Sequence, residues 1–176
     1  MIDFIKIDYL KDGNEKQKRA FEVLTKYKVF EKLSNFSPVL AGTIPIGIDI
    51  DGSDLDIICE VDLRFEEDFL NEIMFSKLIP YKNKATVENI ILNNEKCIVI
   101  NFMLEEFLIE IFGQAKPTTQ QNAYLHMIAE YKILLEKGED FKQKIIELKK
   151  KGIKTELAFG MLLNLENPYK DLLNLK

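Results

Sequence analysis

The chain has 176 residues, of which 47% are apolar and 30% charged, and carries a net charge of −5. That length suits one domain, or one domain with a small appended piece, and the acidic balance disfavours a broad nucleic-acid-binding surface. No apolar run approaches the roughly 18 residues of a membrane span, and the start "MIDFIKIDYLKDG" lacks the basic opening and apolar core of a signal peptide.

In chain order, Asn14 follows Gly13 as a helix N-cap, and apolar residues recur at helical spacing from Ala20 to Leu33. A single helix from Asn14 to about Leu33 is therefore predicted. A short apolar piece, "PVLAG", precedes an acidic stretch, and "LDIICEV" (55–61) has the length and flanks of a buried strand. "FEEDFLNEIMFSKL" reads as a short helix that ends before Pro80. Three strands follow, at 85–92, 96–104 and 107–113, with "NNEK" as the hairpin turn between the first two. Beyond Pro117 the pattern is helical to the end, with Gly138 and Gly152 as C-caps. The expected architecture is α+β: a mixed β-sheet flanked by helices over 1–115, and a C-terminal helical extension over 116–176 packed on it.

Cys59 and Cys97 lie in strand-like surroundings without a CxxC or a histidine cluster. Reduced, buried, structural cysteines and a cytoplasmic location are expected. The basic runs "KQKR" (16–19) and "KKK" (149–151) are expected to be solvated helix faces. No P-loop, nucleophile elbow or zinc spacing is present.

The functional signal is "LAGTIPIGIDIDGSDLDIICE" (40–60), with four aspartates between positions 49 and 56. Asp54 and Asp56 are two apart. On an extended segment they share a face while Leu55 and Ile57 turn inward. Two such carboxylates repel each other and resist desolvation unless a cation neutralises them, and Mg²⁺ suits a site that leaves room for phosphate oxygens. Gly42-Thr43 would oppose them as a backbone cradle for phosphate, with Ser53 beside it. The "DIDGSD" run also hints at a calcium loop, but the EF-hand pattern is not met and flanking helices are missing.

This stretch resembles the signature of the nucleotidyltransferase superfamily that includes DNA polymerase beta: an apolar residue, Gly-Ser or Gly-Gly, about ten residues, then Asp-x-Asp in an apolar strand. Further segments, "YLKDGNEKQKRAFEVL", "IEIFGQ", "QNAYLHMIAEY" and "GIKTELAFGMLLNLENPYKDLLNL", resemble a family of small bacterial proteins catalogued as a domain of unknown function and grouped with that superfamily. The resemblance implies a nucleotidyltransferase-like fold and Mg²⁺, possibly as two ions. Asp54 and Asp56 would hold the metal, and Gly42, Thr43 and Ser53 would meet the nucleotide phosphates. It also implies a third carboxylate on a later strand, for which Glu110 is the candidate ligand and proton acceptor, with Glu88 as the alternative.

One departure stands out. Where superfamily members often carry two arginines, this chain has Ile44 and Ile46, so phosphate binding would fall to backbone amides, metal, Lys82 or Lys84. On the 118–137 helix, Asn122, His126 and Glu130 form a polar line. His126 and Glu130, with Gln114 and Gln121, are possible substrate-cleft residues. Two functions are expected to compete. One is Mg²⁺-dependent transfer of a nucleoside monophosphate from an NTP to a hydroxyl of a small molecule or protein, with nucleic acid disfavoured as acceptor. The other is a non-catalytic nucleotide- or metabolite-binding module on the same fold.

Overall fold

The computed structural model describes residues 2–75, 78–79 and 85–175. Lys82 and Lys84 lie outside the described residues. Helix α1 (Glu15–Lys26) begins with a reciprocal cap: the Asn14 side chain accepts from the Gln17 amide at 2.8 Å, and Gln17 Oε1 accepts from the Asn14 amide at 2.9 Å. The single helix predicted to Leu33 is in fact broken. Lys28 adopts φ 55°, and a separate turn, α2 (Val29–Lys32), follows. A left-handed residue costs about 1–2 kcal/mol for a non-glycine. Here it accompanies the full burial of Val29 and Leu33.

Five strands form one sheet: β1 (Val39–Ala41), β2 (Leu55–Glu60), β3 (Thr86–Leu92), β4 (Glu95–Leu104) and β5 (Phe107–Gln114). Their spatial order is β1-β2-β5-β4-β3, parallel only between β2 and β5. Asn93 and Asn94, both at positive φ, make the two-residue turn between β3 and β4, the turn type that matches strand twist. The β4–β5 turn carries Glu105 and Glu106, which α1 grips through Lys26 (2.6 Å to Glu105) and Arg19 (2.7 Å to Glu106).

Strand alternation gives the sheet two unlike faces. Leu55, Ile57, Ile98, Ile100, Ile109 and Ile111 pack against α1 and α3 (Glu66–Phe75), meeting Val23, Leu24 and Phe69. On the opposite face, Val39, Ala41, Ile58 and Phe112 pack against the C-terminal helices α4 (Asn122–Lys137), α5 (Glu139–Lys150), α6 (Thr155–Leu163) and α7 (Pro168–Asn174). Gly138 and Gly152 end α4 and α5 at positive φ, where the sequence predicts caps. The β1 edge is short and touched by α4, whereas all seven residues of β3 at the other edge are exposed. None of the described helices is long and apolar enough to cross a membrane.

The helical unit is tied together at close quarters. A Cβ on Gly160 of α6 would lie 2.2 Å from Pro168 Cγ and 2.8 Å from Pro168 Cβ. Gly160→Ala would gain up to about 1 kcal/mol of helix propensity, but the clash with a rigid ring costs about 1–3 kcal/mol. A net loss of stability, seen as a lowered urea midpoint with an unchanged slope, is the expected outcome. An equal or raised midpoint would show that α6 and α7 separate without cost.

Candidate functional site

The β2–β5 register sets Asp56 level with Glu110 on adjacent parallel strands. Neighbouring strands lie about 4.8 Å apart, so the two carboxylates emerge side by side. Across the sheet the same row runs Ala41, Asp56, Glu110, Asn101, Thr86, with polar groups at four of five positions. Ile109 and Ile111 face the opposite way and are fully buried, which is what directs Glu110 out of the core. Asp54 lies just ahead of β2 and is close enough to act electrostatically on both partners. Glu88 shares this face, but it sits one row along and two strands beyond Glu110, on exposed β3.

Electrostatics mark this group as short of positive charge. Burial, then Asp54, then Glu110 push the Asp56 carboxyl up to about 7, with only Lys149 opposing. Glu110 is also raised, by burial and then by Asp54. Among the described residues none of the three carboxylates has an ion-pair or side-chain hydrogen-bond partner. Three mutually repelling carboxylates without a protein cation in contact have the donor chemistry that a divalent ion such as Mg²⁺ takes, but among the described residues their oxygens are not gathered within the 4.8 Å that His126, Glu130 and Glu156 reach.

Gly42 has φ 82°, and a Cβ there would stand 2.1 Å from Asp56 Oδ2. The glycine therefore lets the backbone lie directly against the Asp56 carboxylate. The turn that follows is held by the Ile48 amide on the Thr43 carbonyl (3.1 Å), and by Gln17 Nε2 on the carbonyls of Ile44 (2.8 Å) and Pro45 (3.1 Å). Ile44 and Ile46 are core residues, 0% and 6% exposed, so the two positions where the resemblance implies arginines hold buried apolar side chains. The Ser53 hydroxyl accepts from the Ile50 amide at 2.9 Å, closing the turn at Asp51-Gly52. Glu60 stands twelfth from Asp49, yet position six is Asp54 rather than glycine and 55–60 is strand, so this is no calcium loop.

A groove of about 370 Å³ opens between Ser53, Leu108, Met103 and Phe107, with Lys16, Arg19 and Glu106 on its wall; Ser53 and Leu108 are near Asp54 and Glu110 in the chain, but neither carboxylate lines it. Its volume is within the range of small-molecule sites. Both cations are engaged: Lys16 donates to the Ile50 carbonyl (2.7 Å) and pairs with Asp49 (3.5 Å), and Arg19 holds Glu106.

Lys149 was missed by the sequence analysis, which groups it with a solvated basic run. It is 7% exposed, and its ammonium donates to the Ile48 carbonyl at 2.7 Å. Burial pulls it down to about 8 against the opposing pull of Glu130, Asp49, Asp54 and Asp56. It therefore stands between two acidic groups. Its spacing from buried Ile145, one helical turn earlier on α5, is the signal that separates it from exposed Lys150 and Lys151.

The second acidic group is His126 and Glu130 of α4 with Glu156 of α6, whose ligand-capable atoms all lie within 4.8 Å of one another. Glu130 is buried and pushed up to about 8 by burial and by Glu156. His126 is lowered by burial. The other two cleft candidates are placed elsewhere. Gln114, at the far end of β5, donates to Glu95, and Gln121 donates to the carbonyls of Cys59 and Lys116, each at 2.9 Å. Asn122 is exposed. Cys59 and Cys97 are both free and buried, and burial pushes the Cys59 thiol up to about 12.

Residues 22–175 match the family described as Domain of unknown function (DUF4269), and the chain belongs to that family. No curated protein sequence matches it. Among solved structures it is similar to Cid1, described as having RNA terminal uridylyl transferase activity, with 13% identity and a TM-score of 0.52 over 77% of this chain and 41% of that one. It is also similar to the polymerase core of TRAMP, an RNA surveillance complex, with 10% identity and a TM-score of 0.50 over 95% of this chain and 50% of that one. At such identities the likeness shows the fold, which is nucleotidyltransferase-like. The chain spans about half or less of the length of these structures.

Asp56 sets a measurable pH dependence. Its folded value of about 7 exceeds the ordinary 3.8, so ionising it opposes folding. That cost is absent below about pH 4, grows through the window to about pH 7, and is complete above it. In the presence of a chelator, Asp56→Asn is expected to stabilise the protein at pH 8 by on the order of 2–4 kcal/mol, with the gain vanishing near pH 4. Denaturation at several pH values checks this, and a gain independent of pH would contradict it. Gly42→Ala, which places a methyl against the same carboxylate, is expected to destabilise at every pH by about 1–3 kcal/mol.

Proposed function

We propose that this protein transfers a nucleoside monophosphate from an NTP to a hydroxyl acceptor, with Asp54, Asp56 and Glu110 as the catalytic carboxylates. The observation that carries this is the register-locked pair Asp56 and Glu110, with Asp54 alongside and no protein cation in contact, on a nucleotidyltransferase-like fold. The three carboxylates would hold Mg²⁺, which when bound supplies positive charge for the triphosphate and for the charge that develops during transfer. A structure of Cid1 is described with Mg²⁺ and 3′-dATP bound, which supports the same cofactor here.

In the proposed step the acceptor oxygen bonds to the α-phosphorus while the bond from that phosphorus to pyrophosphate breaks. The hydroxyl proton passes to a Glu110 oxygen, a carboxylate whose raised proton affinity suits it to that role. Backbone amides of the 42–47 turn would orient phosphate, and Lys149 is a buried cation that acts electrostatically on Asp54 and Asp56. Lys82 and Lys84 remain proposed phosphate contacts. The groove between Ser53 and Leu108 is the proposed entrance for the acceptor. The solved relatives are described as acting on RNA, so an RNA 3′ hydroxyl belongs among the acceptors beside small molecules and proteins. The acidic sequence supports the latter two.

One observation favours a second reading, a nucleotide-binding module without turnover: the arginine positions are filled by core isoleucines. Incubation with α-labelled NTPs, Mg²⁺ and an acceptor panel that includes oligoribonucleotides separates the two. Label transfer with stoichiometric pyrophosphate, falling about 10²–10⁴-fold in Asp54→Asn and Asp56→Asn, is the expected result. Tight NTP binding with no pyrophosphate released across the panel would favour the module. Activity equal to the unaltered protein in both variants would remove the assignment.

A further inference from the structure

The three carboxylates at β2 and β5 leave a second constellation unused. His126 and Glu130 are one turn apart on α4, and Glu156 reaches them from the first turn of α6. Glu156 lies 26 positions beyond Glu130 and 30 beyond His126, which is why no metal-ligand spacing is legible there.

Two features set this group apart from an ordinary surface cluster. Glu130 is 4% exposed, yet among the described residues it has no hydrogen bond and no ion pair, and it interacts with Glu156 and Lys149 through electrostatics alone. A buried carboxylate left without a partner is expensive. Nδ1 of His126 is likewise sealed from solvent without a hydrogen-bond partner. Donor atoms from the three residues already lie within 4.8 Å of one another.

From this geometry we infer a second metal site, made of His126, Glu130 and Glu156, for a first-row transition ion of the Zn²⁺ class. One imidazole with two carboxylates suits such an ion better than Mg²⁺, which prefers oxygen throughout. Donors at roughly 2.0–2.2 Å from zinc stand a little over 3 Å apart, a contraction that side-chain rotation can provide from the present spacing. Two ionised glutamates and a neutral imidazole would balance the ion's charge. Three protein donors leave a fourth position for water or a ligand. Because the donors come from two helices, the ion would clamp α4 to α6. This inference does not depend on the proposed transferase activity.

The experiment uses the full-length, tag-free protein carrying Asp54→Asn, Asp56→Asn and Glu110→Gln, so that the sheet carboxylates cannot contribute. Titration with ZnCl₂ should show one equivalent bound and a raised melting temperature. Adding Glu130→Gln or His126→Asn should weaken binding at least tenfold and abolish the thermal shift, with helical circular dichroism retained. CoCl₂ provides a second measurement that needs no helix variant: a visible absorption band of a low-coordinate Co²⁺ site should appear and be displaced by Zn²⁺. No stoichiometric Zn²⁺ binding, or binding untouched by both helix substitutions, would overturn the site.

Discussion

Repulsion between Asp54, Asp56 and Glu110 is the constraint around which the rest of the protein is arranged. Backbone hydrogen bonds between β2 and β5 set Asp56 and Glu110 level, so the pair cannot relax by sliding. The isoleucines on either side of Glu110 hold it on that face through their own burial, and Gly42 supplies a backbone that can lie against Asp56. Core packing thus supplies the free energy that keeps like charges together. Enzyme sites commonly store unfavourable electrostatics in this way, with stability given up locally for a later ligand.

Among the described residues the ammonium of Lys149 moderates this field. Lys149 is anchored by the Ile48 carbonyl and feels acids on the sheet, on the loop and on α4. It belongs to α5, so the helical unit contributes charge to the site as well as apolar cover. The Lys149–Ile48 bond joins that unit to the loop bearing Asp49, which Lys16 holds from the other side. The loop is therefore fastened at both flanks by lysines from helices far apart in sequence.

Much of the fold was legible because it is written in local periodicity. Alternation in "FLIEIFG" placed Glu110 on the face opposite Ile109 and Ile111, and "NNEK" between two apolar runs marked the hairpin, although only Asn93 and Asn94 turn, both at positive φ, and Glu95 and Lys96 already belong to β4. The break at Lys28 was not legible, since its cause is the tertiary burial of Val29 and Leu33, which overrides a continuous helical pattern. The partners of Gln114 and Gln121 were not legible either, since Glu95 and Cys59 lie far from them along the chain. Polar residues near a suspected cleft look functional in sequence, whereas here they satisfy Glu95 and backbone carbonyls. Glu156 and Lys149 acquire meaning only when α5 and α6 fold back toward α4, and no spacing in the chain encodes that.

The two edges of the sheet are treated unequally. β1 has three buried residues beside α4, while β3 presents seven exposed ones, with Ile91 at 75% and Val87 at 44% exposure. An unpaired strand rim that is also apolar is a template onto which another chain can add. Glu88 is the one charge within it, and Lys96 and Glu95 flank its far end. Among the described residues that rim is where strand addition between copies would start, and a single lysine introduced along it would oppose such pairing without disturbing any carboxylate of the interior.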